Sequence, residues 1–69
     1  MSDSDSYYAG STDYTDPTVI KVILMYMNHS DRITCIKETY NISYEEAENI
    51  CYGKRPDAIV LELIRRKII

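Results

Sequence analysis

The chain has 69 residues, 45% of them hydrophobic and 28% charged, and a net charge of −3. A chain this short holds at most one small domain, and such domains bury only about 60% of the surface that the unfolded chain exposes. Its longest apolar run, residues 22–27, is far below the roughly 20 residues a membrane span requires, so a spanning helix is excluded.

The N-terminal stretch "MSDSDSYYAGSTDYTD" places acid where a secretory signal needs base, with no apolar segment behind it. An intracellular protein is expected, cytoplasmic or nuclear, with Cys35 and Cys51 as reduced thiols rather than a bridge. Residues 1–16 carry four Asp and no Lys or Arg, whereas residues 17–69 hold all eight bases against seven acids. With almost no aliphatic content, residues 1–16 are expected to form a flexible acidic tail, separate from a single helical domain over 17–69. The tail is either a solubilising leader or an interaction arm. In the second case Asp3, Asp5, Tyr7, Tyr8, Asp13 and Tyr14 are the candidates to occupy a basic groove, on a partner or on the same domain.

Asp16 followed by Pro17 is an N-cap and first-turn pair, predicting a helix over 17–29. Lys21 and Asn28 share one narrow polar stripe, and Val19, Ile20, Val22, Ile23, Tyr26 and Met27 fill the rest, so burial nearly all round is expected. The β-branched content of residues 18–27 also permits a strand. Ser30 or Asp31 is the expected cap of a second helix over 31–40, with Ile33, Ile36 and Tyr40 on one face.

Asn41 tolerates the left-handed conformation that a helix end requires, and Ser43 with Glu46 forms a capping-box pattern opening a third helix over 43–52. Gly53 is expected at its C′ position. Pro56 and Asp57 open a fourth helix over 56–67, whose last turn carries Arg65, Arg66 and Lys67 in accord with the helix dipole. Ile59, Val60, Leu61, Leu63, Ile64 and Ile68 cover more than half its circumference, leaving Glu62 and Arg66 as an i, i+4 pair on the remaining stripe. The fold class expected is therefore all-α, a small bundle of four short helices.

Residues 33–52 resemble a helix-turn-helix unit. Ile36, Tyr40, Ile42, Ala47 and Ile50 sit where that motif packs its two helices together, and Asn41 sits where its turn usually has glycine. The pattern departs at Lys37, where the motif usually has a small residue. The resemblance implies a second helix laid into the DNA major groove. Here the outward face of that helix would be Glu45, Glu48, Asn49 and Tyr52, with Tyr44, Ala47, Ile50 and Cys51 turned inward. Such a face brings carboxylates toward one phosphate charge per ~1.7 Å of duplex, so groove insertion is disfavoured.

The bases gather instead at Lys54, Arg55, Arg65, Arg66 and Lys67, which could bind phosphate if both ends of the fourth helix share a surface. Helices one and four present more apolar circumference than two short helices cover, which calls for a homodimer or a heterologous protein.

Catalysis has little support. His29, the one histidine, is expected to end the first helix and serve its dipole. Cys35 and Cys51 lack paired zinc-ligand spacing and read as small buried hydrophobes, and the two glycines form no phosphate loop. No cofactor, metal or small-molecule substrate is expected. The sequence favours a non-enzymatic regulatory interaction module, an inhibitor or adaptor with Glu45, Glu48, Asn49 and Tyr52 as partner-binding candidates. Compact acidic modules of this type occur among viral and phage regulators. The alternative is a dimeric nucleic-acid-binding regulator using residues 54–67.

Overall fold

The computed structural model describes residues 12–69, which fold as four helices: α1 (Pro17–Met25), α2 (His29–Tyr40), α3 (Tyr44–Cys51) and α4 (Pro56–Arg65). No strand forms among the described residues, so the β-branched run of α1 is helical. Local chemistry accounts for each boundary. The Asp16 carboxylate accepts a hydrogen bond from the Thr18 N–H at 2.9 Å, and Pro17 follows as the first helical residue.

The first helix ends at Met25 rather than 29, because Asn28 caps the next one: its side-chain oxygen accepts from the Asp31 N–H at 2.8 Å. Asn28 therefore replaces Ser30 and Asp31 as the cap. His29 becomes the first residue of α2 and sits at a positive helix end, where a cation gains nothing from the dipole. The side chain that does reach the C-terminal end of α1 is Arg32, whose Nε donates to the Leu24 carbonyl at 2.9 Å. That bond joins α2 to a helix end whose last carbonyls lack intrahelical donors.

Asn41 adopts the left-handed conformation (φ 55°), and its N–H returns to the Lys37 carbonyl together with that of Ile42. Ser43 caps α3 by accepting from the Glu46 N–H at 3.1 Å. Only this half of the capping box forms; the Glu46 carboxylate instead faces Arg66 across the α3–α4 contact at 4.0 Å. The helix breaks at Tyr52, one residue before the glycine. Tyr52 (φ −59°, ψ 122°) and Gly53 (φ 65°) then make a type II turn closed by the Lys54 N–H on the Cys51 carbonyl. With Tyr52 as the C-cap, Gly53 is the C′ residue, as expected, and its left-handed backbone also completes the turn.

Two packed pairs generate the core. Helices α2 and α3 pack against each other, with Ala47 buried and Lys37 exposed to solvent. Helix α1 packs against α4, and α3 against α4. Ile20, Leu24, Ile33, Ile36, Ile50, Cys51, Ile59 and Leu63 are buried in one cluster, with Met27, Tyr40, Ile42 and Ile68 packed against it.

Candidate interaction surfaces

Helix α3 divides into two faces. Ala47, Ile50 and Cys51 are fully buried, and Glu45, Glu48, Asn49 and Tyr52 all face solvent, as their spacing predicts. Tyr44 was expected inward and is instead half exposed at the first residue of α3. Tyr44, Glu48 and Tyr52 follow one another at i, i+4 and i+8, so two exposed rings bracket the acidic residues along one ridge.

The five clustered bases separate into two groups. Lys54 and Arg55 precede α4, whereas Arg65, Arg66 and Lys67 lie at its other end. Ten helical residues at ~1.5 Å each hold the groups about 15 Å apart. Two of the bases are also engaged. Glu62 was expected on a solvent stripe and is in fact buried, receiving Arg65 Nη2 at 2.7 Å and Arg66 Nε at 2.6 Å. These hydrogen bonds, Arg66's first, hold the Glu62 carboxyl below the usual carboxylate range. Helix α4 is rotated relative to the expected orientation: Ile59, Val60, Glu62 and Leu63 face inward, leaving Leu61 and Ile64 outside.

Helix α1 was expected to be buried nearly all round, yet only Ile20 and Leu24 are fully buried; Val22, Met25 and Tyr26 face solvent. Along the α1–α4 seam lie two shallow hollows of about 230 and 250 Å³. These are smaller than the roughly 300–1,000 Å³ of small-molecule sites and match single side chains. Lys21 and Asp57 line both; Leu61 lines only the first, and Met25 and Arg55 only the second.

The two thiols differ. Cys51 is fully buried, and burial pushes its thiol from 9.0 up to about 11, with Arg32 pulling the other way. Cys35 is half-buried beside the Thr39 hydroxyl at 3.7 Å. Among the described residues no three His, Cys, Asp or Glu side chains are grouped to hold a metal ion. No described helix is long and apolar enough to cross a membrane.

Of the tail candidates, Asp3, Asp5, Tyr7 and Tyr8 lie outside the described residues. Asp13 accepts hydrogen bonds from the Thr15 hydroxyl and N–H, which hold its carboxyl below its ordinary value. The Tyr14 carbonyl accepts from the Tyr40 hydroxyl at 2.7 Å, so the segment before α1 is tied to α2. Neither Arg32 nor Tyr40 was legible as a tether, since each acts across a junction whose partner is a backbone carbonyl.

Compared with protein-family models, with curated proteins and with solved structures, the chain matches none of them.

Proposed function

We propose that this protein is a small non-enzymatic regulatory module, an inhibitor or adaptor, that binds a protein partner through the acidic ridge of α3 and its exposed apolar helical surface. The carrying observation is the ridge itself: Tyr44 and Tyr52, 52% and 73% exposed, bracket Glu45, Glu48 and Asn49 on a helix with no base in its outer face. Tyrosine offers large contact area with little side-chain entropy to lose and is enriched at interfaces. Carboxylates between the rings would steer a basic partner and suppress acidic ones. The same charges oppose DNA, and the bases that would compensate are divided between the ends of α4, two of them committed to Glu62.

Capture of proteins from the native host by the full chain, beside the double variant Glu45→Lys, Glu48→Lys, tests this reading. A partner retained by the wild type should be lost with the variant and released from the wild type by moderate salt. Unchanged capture removes α3 from the interface. Tight binding of nonspecific duplex DNA at low salt, falling steeply as salt rises, would favour the nucleic-acid alternative instead.

A further inference from the structure

We propose that residues 1–11 of this chain seat on the α1–α4 face of their own domain, with Asp3 and Asp5 against Lys21 and Arg55 and with Tyr7 and Tyr8 over Met25 and Leu61. The seated segment withholds that face from other proteins. It is a different face from the α3 ridge, so failure of this contact leaves the ridge untouched.

Met25 and Leu61 are 57% and 66% exposed on two helices that already pack together, and each lines one of the two hollows. Apolar side chains beside recesses of single-residue size gain when another apolar group displaces their water.

The charges around the second hollow favour an acidic occupant. Lys21 and Arg55 both line it and are exposed, and neither forms an ion pair among the described residues. Its one acid, Asp57, is engaged with its own helix, where the carboxylate accepts from the Ala58 N–H at 2.9 Å. Other bases are committed elsewhere: Arg65 and Arg66 bond Glu62, and Arg32 bonds the Leu24 carbonyl. Residues 1–11 match this surface, carrying Asp3 and Asp5 with no Lys or Arg, and Tyr7 and Tyr8 as their bulky rings. A tyrosine ring covers apolar surface while its hydroxyl stays in water.

Chain length puts the face within reach. The Asp16 N–H bonds the Asp13 carbonyl at 3.2 Å, a turn at the start of α1, and Pro17 itself lines the first hollow. Lys21 lies about 6 Å further along the helix, whereas residues 1–11 can span up to roughly 36 Å. A contact tethered so closely works at a millimolar effective concentration. Exposed ion pairs are individually weak, so an intrinsic dissociation constant of about 1 mM is expected, with about half of the molecules seated at any time.

Relaxation of the Met25 and Leu61 methyls by an uncharged, soluble paramagnetic probe, measured on the full chain, provides the test. In the wild type both methyls should relax about half as fast as in the double variant Asp3→Lys, Asp5→Lys, with unchanged circular dichroism. The difference should not vary with protein concentration, and added salt should bring the wild type up to the rate of the variant. Adding Lys21→Glu and Arg55→Glu to that variant reverses every sign and should restore the protection. Four results overturn the proposal: wild-type methyls that relax as fast as those of the variant; a protection indifferent to salt; a protection that grows with protein concentration, which would assign the face to a second copy; or a sign-reversed chain as exposed as the lysine variant.

Discussion

The Tyr40 hydroxyl donates to the Tyr14 carbonyl at 2.7 Å, joining the turn ahead of α1 to the last residue of α2 across 26 positions. The phenol ring packs against the core, and burial, reinforced by Cys35 and Tyr14, raises its pKa from 10.0 to about 12. Tyr40→Phe keeps the ring and removes the donor. Because the bond is near solvent, the loss should be at the low end for a hydrogen bond, about 0.5–1 kcal/mol, read as a lower urea midpoint. Cleavage by a nonspecific protease within residues 12–16 should accelerate more than cleavage within α3. Equal acceleration at both would mean that Tyr40 supports global stability and holds no local tether.

The buried Glu62 carboxylate should set the acid limb of stability. Its folded pKa lies below the ordinary glutamate value of 4.5, so its contribution is present above that value and is lost as pH falls through the folded pKa. Urea midpoints measured between pH 6 and pH 3 should fall for the wild type more steeply than for Glu62→Gln, which has no charge to lose. Parallel curves would mean that Arg65 and Arg66 contribute nothing to folding through Glu62.

Most of the fold was legible because its boundaries are local chemistry. Asp16–Pro17, Asn41, Ser43 and Pro56 each act within a few residues of themselves, and all four mark helix ends in the structure. What was not legible depended on tertiary competition. Asn28 and Ser30 are both acceptable caps, and the choice moved His29 from one helix to the next. The rotation of α4 could not be read from composition, because Leu61, Leu63 and Ile64 make nearly any face apolar. The inward turn of Glu62 became favourable only with two arginines over it. The outer face of α3 followed directly from the 3.6-residue period, apart from Tyr44 at its first turn.

Lys67 holds φ 61° at the end of α4, with its N–H on the Ile64 carbonyl and that of Ile68 on the Leu63 carbonyl. This is a Schellman closure, and Lys occupies the position that glycine fills without strain. Lys67→Gly should raise stability by about 0.5–1 kcal/mol, since the left-handed conformation costs a residue with a Cβ about 1–2 kcal/mol and added chain entropy offsets part of the relief. Gly53→Ala should act in the opposite sense by about 1 kcal/mol. A Cβ there meets nothing within 4 Å, so its cost is backbone strain alone at φ 65°. Thermal unfolding of both variants checks the pair, and opposite signs are required.

Helix α4 begins without a side-chain cap, because Arg55 occupies the N-cap position and has no acceptor to offer. The Asp57 carboxylate partly compensates by accepting the Ala58 N–H at 2.9 Å. Arg55→Ser should supply the missing acceptor and remove a cation from a positive helix end, a gain of about 0.5–1.5 kcal/mol. Arg55→Ala removes the charge without adding a cap and should gain less. If the two variants gain equally, the dipole and not the cap is the deficiency.

At alkaline pH the buried Cys51 should be the first group to erode stability. The unfolded thiol ionises near 9.0 and the folded one near 11, so the folded chain retains a proton that the unfolded chain has lost across that window. Stability is therefore fully present below pH 9, declines as pH rises toward 11, and falls by about 2–3 kcal/mol in total from this group. Tyr40 adds a later decline between 10.0 and about 12. Cys51→Ala should start less stable, because it leaves a small cavity, but its urea midpoint should hold level from pH 8 to pH 10, where that of the wild type drops. Thiol labelling at pH 8 reports the same burial independently: iodoacetamide should modify the half-buried Cys35 well before Cys51. Simultaneous labelling would mean that Cys51 is as accessible as Cys35, and a Cys51→Ala curve that falls as the wild type does would mean that another group causes the alkaline decline.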